Sequence, residues 1–226
     1  MTGWSVERVS GPAEGLFRSS VDLLPHIEQP TARILVPDAP LLVLGSAQRA
    51  DVVGPGVVWT KRRSGGGAVW LDPAQQVWVD VLLPRCDDKW TDDVRESFTW
   101  LGQAWSAALA ALGVPAASTT IHRGPPVTTR WSSLLCFAGR GPGEVLIGHR
   151  KVIGVAQRRT RHGALFQCGA LLDWQFDPMV FAVSHWPGVP DGEVMETGVG
   201  LRSVVGRALM AADVERALTD ALVAAS

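Results

Sequence analysis

Two stretches carry residue types whose spacing suits chemistry. The first is Lys61-Arg62-Arg63-Ser64-Gly65-Gly66-Gly67-Ala68-Val69, in which two arginines run into three consecutive glycines and then an apolar segment. Glycine has no Cβ, so its amides can approach a ligand closely and its backbone can take positive φ, while a guanidinium supplies planar paired donors. The triplet reads as a candidate anion cradle; a plain glycine turn between two strands, with solvated arginines, is the alternative. The second stretch is Gly148-His149-Arg150-Lys151-Val152-Ile153-Gly154-Val155-Ala156-Gln157-Arg158-Arg159. There a lysine sits among strand-like apolar neighbours, a setting that by itself also suits a solvated edge residue.

Together the two stretches resemble the lipoate-protein ligase family, whose members carry an Arg-Arg-x-Gly-Gly-Gly-Ala-Val loop and a later Gly-x-Lys-(Ile/Val)-x-Gly-x-Ala-Gln motif. The matching residues are Arg62 to Val69 and Gly148 to Gln157. Pro40-Leu41-Leu42-Val43-Leu44-Gly45-Ser46-Ala47-Gln48 is similar to the family's earlier strand ending in Leu-Gly-x-x-Gln. The resemblance implies an enzyme that attaches lipoate or its octanoate precursor to a lysine of a lipoyl-domain protein. In the ligase branch this proceeds through an acyl-adenylate made from ATP, with Mg²⁺ a candidate companion. Lys151 is then the fixed cation that stabilises charge on the acyl oxygen and phosphate, acting by electrostatics. Its removal would abolish transfer and leave the fold intact. Arg62, Arg63, Ser64, the amides of Gly65, Gly66 and Gly67, and Ala68 would accommodate phosphate oxygens or close over the acyl group. Gly154 and Gln157 complete the set, with a strand hydrogen bond as the alternative for Gln157. Arg158 and Arg159 suit either a rim that meets an acidic acceptor or ordinary solvated charge.

The same superfamily contains cysteine-dependent octanoyltransferases, and in Leu134-Leu135-Cys136-Phe137-Ala138-Gly139 the position of Cys136 resembles their nucleophile. Those enzymes carry the acyl group as a thioester and need neither ATP nor any other cofactor. A nearby Lys151 would favour the thiolate and stabilise the oxyanion. A buried small hydrophobe is the alternative for Cys136. Leu71-Asp72 stands where ligases commonly have His-Asp, and Pro73-Ala74-Gln75-Gln76 follows where a Gly-Asn pair is usual. Asp72 and Asp80 are each more ordinary as turn or cap residues than as Mg²⁺ ligands, so no metal site is assigned. A ligase reading, a thioester transferase using Cys136, and a non-catalytic protein that binds lipoyl domains or acyl-adenylates all remain. An acyl carrier protein as donor and a separate accessory-domain chain are candidate further partners. An apolar tunnel leading from Lys151 into the core is expected for an eight-carbon chain.

The elements that must position these residues follow from periodicity. The chain has 226 residues and a formal net charge of −1, enough for one sizeable core and too little positive charge for a general nucleic-acid binder. Its three cysteines, Cys86, Cys136 and Cys168, form no disulfide framework or metal spacing. No apolar run is long enough to cross a bilayer and no secretory leader is visible, so no membrane association and a cytoplasmic location are expected. Ala13 to Leu24 reads as a helix stopped by Pro25. Ala32 to Val36, Pro40 to Gly45 and Val77 to Leu83 read as strands. The glycine loop is expected to join two antiparallel strands, Val57 to Thr60 and Ala68 to Leu71. Thr91-Asp92-Asp93 predicts the cap of a long helix through Leu112. Residues 116–133 read as a connector, 144–159 and 163–174 as paired strands, and 206–224 as a last helix with Met210, Val214, Leu218 and Leu222 on one face. The whole, residues 1–226, suggests one α+β domain with a mixed, largely antiparallel sheet flanked by helices, similar to the biotin/lipoate protein ligase catalytic domain and without a separate C-terminal accessory domain.

Overall fold

The computed structural model describes residues 3–184, 186, 188–190 and 192–225. In chain order the first elements are β1 (Ser5–Gly11), α1 (Ala13–Leu23), β2 (Thr31–Pro37), β3 (Leu41–Leu44), β4 (Trp59–Lys61), β5 (Val69–Leu71) and β6 (Gln76–Pro84). Next come α2 (Thr99–Ala111), β7 (Thr119–Ile121), β8 (Val145–Ile147), β9 (Arg150–Thr160) and β10 (Gly163–Leu171). The short helices α3 (Asp177–Ala182), α4 (Gly192–Met195) and α5 (Leu201–Val205) lead to α6 (Ala211–Ala224).

Among the described residues, seven strands form a sheet in the order β1-β2-β6-β10-β9-β8-β7, and β4-β3-β5 form a second, small sheet. The large sheet is mixed: β1 runs parallel to β2 and every other pair is antiparallel. This is the expected α+β fold. Strands β6 and β10 are buried along their whole length, and both faces of the sheet are covered, which is why these strands read as near-continuous apolar runs. Successive side chains alternate faces. On one face Val77, Val79 and Val81 of β6 and Phe166, Cys168 and Ala170 of β10 pack with Leu101, Trp105 and Leu109 of α2 and Val214, Leu218 and Leu222 of α6. On the other, Trp78 and Leu171 pack with Leu16 and Phe17 of α1 and with Leu41, Val43, Val69 and Leu71 of the small sheet. The glycine loop lies at this second interface.

Four local expectations are corrected. Strands β4 and β5 do not pair with each other; both flank β3, one parallel and one antiparallel. The glycine loop is therefore not a hairpin, and β3 supplies the backbone hydrogen bonds on both sides. Asp93 accepts from the Arg95 and Glu96 N–H groups at 2.7 and 3.1 Å, just ahead of a short 3₁₀ turn, Glu96–Phe98, whose cap residue is Arg95 and has no side-chain cap bond. Helix α2 starts only at Thr99. The last helix starts at Ala211, because Gly206 in the left-handed region ends α5. Met210 is exposed, and its N–H donates to Asp213 Oδ2 at 3.0 Å. The expected connector contains β7, an edge strand. Among the described residues no helix is long and apolar enough to cross a membrane.

Candidate active site

The glycine loop is braced from inside. Arg62 is buried, and its guanidinium donates to Val43 O at 3.2 Å, Gly65 O at 2.6 Å and Gly67 O at 2.8 Å. Burial pulls Arg62 below the ordinary guanidinium value, and the nearby Cys136 and Glu144 act in the opposite direction. Ser64 is buried too, and both its N–H and its hydroxyl donate to Gln167 Oε1 at 3.1 and 2.8 Å. Gln167 Nε2 in turn donates to Asp80 Oδ1 at 3.1 Å, and Trp78 Nε1 donates to the same oxygen at 2.8 Å. Burial raises the Asp80 carboxyl above its usual range, against hydrogen bonds from Ser20, Trp78 and Gln167. Gly66 takes a φ of +94°. A Cβ on Gly45 would overlap its carbonyl oxygen.

The segment carrying Cys136 is stitched to this loop. Ala68 N–H donates to Leu134 O at 2.7 Å and Cys136 N–H donates to Ala68 O at 3.0 Å. Cys136 is a half-buried free thiol. A Cβ built on Gly66 would stand 2.9 Å from Arg62 Nη2 and 3.8 Å from Cys136 Sγ, so guanidinium and sulfur flank one glycine. Lys151 is buried, with Nζ donating to Cys136 O at 2.8 Å and paired with Glu144 Oε2 at 2.7 Å. Glu144 is fixed in turn by the N–H groups of Gly141 at 2.6 Å and Val155 at 3.3 Å. Among the described residues two of the three ammonium N–H groups are thus committed, and Nζ also stands 5.3 Å from the centre of the Phe137 ring.

Behind the thiol the sheet is stripped of side chains. Gly154 of β9 and Gly169 of β10 are cross-strand partners, and Gly169 also faces Trp78 of β6. These glycines border a narrow slot, with about 10 Å³ of open space, lined by Arg62, Val69, Gln76, Cys136, Phe137 and Gln167 among others. A second small apolar space, of about 30 Å³, shares Val69, Gln76 and Phe137 and is lined further by Leu135, Trp174 and Met179. The apolar space thus lies on the Cys136 side and not beside Lys151, and as it stands it is too small for the expected eight-carbon tunnel. Lys151 instead lines a cavity of about 220 Å³ with Thr129, Arg140, His149, Glu193 and Glu196, and Phe137 borders both spaces.

Not every residue singled out in the sequence converges here. Gln157 lies on the opposite face of β9 from Gly154 and Ala156, and its amide donates to Ser97 Oγ at 3.0 Å. Arg159 donates to the Asp92 and Thr91 carbonyls and lies over the Trp90 ring at 4.1 Å. Arg63 is half-exposed, 3.9 Å from Asp22. With Lys61, Arg62 and Arg158 it lines an open basic cavity of about 360 Å³. Asp72 is a turn residue, accepting from Ala74 N–H at 2.8 Å. Cys168 is buried, with its thiol pushed up to about 12 by burial, and Cys86 is exposed. Among the described residues no three His, Cys, Asp or Glu side chains gather as a cation site. Sequence reasoning missed Glu144, Gln167 and Gln76. The one available signal was a charged or amide group inside an apolar strand, which demands a buried partner.

The profile of the lipoyl protein ligase A/B catalytic domain matches residues 19–223. Octanoyltransferase LipM of Kyrpidia tusciae is 28% identical over 231 residues, a match spanning 93% of this chain and 83% of the relative. Among solved structures, lipoate-protein ligase A bound with ATP superposes with a TM-score of 0.72 at 18% identity, over 100% of this chain and 85% of that one. A bi-partite lipoate protein ligase from Thermoplasma acidophilum gives 0.71 at 16% identity, over 100% and 84%. At such identities the two structures speak for the fold alone.

Proposed function

We propose that this chain, which belongs to the lipoyl protein ligase A/B catalytic domain family, carries a medium-chain acyl group as a thioester on Cys136 and delivers it to a lysine of a lipoyl-domain protein. The observation that carries this reading is the half-buried Cys136 thiol at the head of a glycine-bordered slot. The 28% identical relative named an octanoyltransferase supports the same choice. In the first step the Cys136 thiolate adds to the carbonyl carbon of a donor thioester, such as an octanoyl carrier protein. The carbon–sulfur bond to the donor breaks, and the donor thiol leaves with the proton. In the second, the acceptor lysine amine attacks the Cys136 thioester, an amide forms, the Cys136 thiolate leaves and the amine proton passes to water. No nucleotide is consumed. The third N–H of Lys151 and the loop amides are the donors available to the oxyanion of each tetrahedral intermediate. A free thiol at the centre of the reaction suits a reducing compartment such as the cytoplasm.

A second reading, ligation through an acyl-adenylate, has one observation in its favour. The open basic cavity beside the loop brings Lys61, Arg63 and Arg158 together, a charge set that fits the phosphates of ATP with its Mg²⁺. Three of the five Arg62 N–H groups are already committed, to the carbonyls of Val43, Gly65 and Gly67. Both readings are separated by weighing the protein and a lipoyl domain after incubation with octanoyl carrier protein or with lipoate, with and without ATP. The thioester reading requires an octanoyl mass on the enzyme without ATP, lost in Cys136→Ala. Transfer that needs ATP and survives Cys136→Ala would establish the ligase. Binding of the lipoyl domain with no transfer under any condition would leave a binding protein.

A further inference from the structure

Phe137 stands where an acyl chain leaving Cys136 would have to go. It follows the thiol on the 3₁₀ turn Cys136–Ala138 and is 5% exposed. Its ring lies against Gly154, with Cζ 3.4 Å and Cε2 3.7 Å from where a Cβ on that glycine would be. The same ring borders three separate spaces: the slot holding Cys136, the apolar space with Leu135, Trp174 and Met179, and the Lys151 cavity. One water-sized group needs about 10–15 Å³ of open space. The 10 and 30 Å³ on the thiol side therefore seat the first carbon or two beyond a carbonyl and not an eight-carbon chain.

Of the large groups on the slot, this ring is the one free to leave. Arg62, Trp78 and Gln167 are each tied by hydrogen bonds, and Gln76 is carried by the central strand β6. Phe137 is held by contacts alone: the Trp174 ring, 5.7 Å between centres and tilted by 41°, and the Lys151 ammonium 5.3 Å from its own centre. The Lys151 cavity, at about 220 Å³, is the bordering space with room for a benzyl ring. An ammonium attracts the face of an aromatic ring, so a ring turned towards Lys151 keeps a partner there.

We propose that Phe137 sets the acyl length, its ring acting as a plug in the place of the chain. Short acyl groups load onto Cys136 with the ring in place, and a longer chain loads only as the ring turns out into the Lys151 cavity. The inference rests on the thioester reading, which makes Cys136 the head of the chain. A residue that walls a chain and one that fills its place respond oppositely to truncation. Cutting back a wall strips contacts from the bound chain and weakens the longer acid; cutting back a plug makes room and favours it.

The test is single-turnover acylation of the full-length protein by the N-acetylcysteamine thioesters of acetate and octanoate, read by intact mass. The quantity compared is the ratio of the octanoyl to the acetyl rate constant, in which general damage to Cys136 cancels. Phe137→Ala is expected to raise this ratio about tenfold or more over wild type, the scale of a methylene or two in an apolar pocket, and Phe137→Trp to lower it by a similar factor. A ratio that falls in Phe137→Ala makes the ring a wall, and an unchanged ratio gives it no part; either result overturns the proposal. Should Phe137→Ala not fold, Phe137→Leu carries the same sign. A probe of native shape adds a second reading: with 4-fluorophenylalanine in place of Phe137, the fluorine resonance should move on octanoyl loading and stay on acetyl loading. A resonance that octanoyl leaves unmoved overturns the plug. If neither thioester acylates wild-type Cys136, the thioester reading has failed on its own. The plug is then decided by thermal shift with free octanoate, a larger shift for Phe137→Leu than for wild type supporting it and equal shifts overturning it.

Discussion

Replacing Glu144 by alanine isolates the ion pair that holds Lys151. The two side chains are 2% and 4% exposed and 2.7 Å apart, so the alanine variant strands an ammonium away from water. It also takes the acceptor from the Gly141 and Val155 N–H groups. Breaking a buried pair from one side typically costs about 3–5 kcal/mol. For a chain of this length each kcal/mol moves the melting midpoint by roughly 2–4 °C, giving a fall of about 6–20 °C. Lys151→Ala leaves the converse, an unpaired buried carboxylate, and should cost a similar amount. The sequence-based expectation that this substitution spares the fold therefore needs revising. The double variant Glu144→Leu with Lys151→Met replaces the pair by apolar groups of similar size and should be more stable than either single truncation, since such replacements are often neutral or stabilising. Urea titration of wild type, both singles and the double, with midpoints compared at constant slope, completes the cycle. An alanine variant at 144 melting within a degree or two of wild type would refute the reasoning. So would a double variant weaker than both singles. The activity assay adds an independent line: the stable double should transfer no acyl group, because it lacks the ammonium beside Cys136.

Gly67→Ala should disconnect the thiol from the loop. A Cβ there meets Leu135 C at 2.5 Å, Leu135 N at 2.6 Å and Cys136 N at 2.7 Å, all backbone atoms that cannot swing aside; acylation of Cys136 should fall by at least about 10²-fold, the scale of a misplaced reacting group, and a normal rate would contradict the geometry. Among the thiols, Cys168 should resist thiolate-selective alkylation of the native protein at neutral pH, since burial pushes it up to about 12, while exposed Cys86 reacts; rapid labelling of Cys168 without unfolding counts against the buried placement. The N–H of Met210 holds Asp213 below the usual carboxylate range, so its folded value is depressed. Its stabilising contribution is present above the unfolded Asp value and lost as pH falls through the folded one. Asp213→Ala should therefore be less stable than wild type near pH 7 and converge with it on acidification; a gap that widens in acid would reverse the sign.

The large sheet was legible because burial on two sides leaves long apolar strands, as in Val77 to Leu83, and because Pro and Gly bracket them. The glycine loop and the lysine motif were legible through their fixed order of residue types. What escaped was contact between distant segments. Nothing local says that Trp59–Lys61 pairs with β3 and not with the strand after the loop, since both partners are short and apolar. Arg62 looks like a surface cation in the sequence, and only the carbonyls of Val43, Gly65 and Gly67 make it an internal brace. Gln157 follows the motif yet faces away, because strand alternation gives the slot face to Gly154 and Ala156. Glu144 was read as the start of a strand, and its pairing with Lys151 depends on the antiparallel return of β9 beside β8.

The paired glycines at 154 and 169 let the Phe137 ring and the Gln76 carboxamide stand directly against the backbone in the middle of the sheet. A core is ordinarily completed by its own side chains; in the thioester reading proposed above, an acyl chain seated there would have to push those neighbours aside at every cycle. Occupied and vacant enzyme should consequently differ in rigidity as well as in contents. The acyl cargo would serve, while it stays, as an interchangeable piece of the protein's interior.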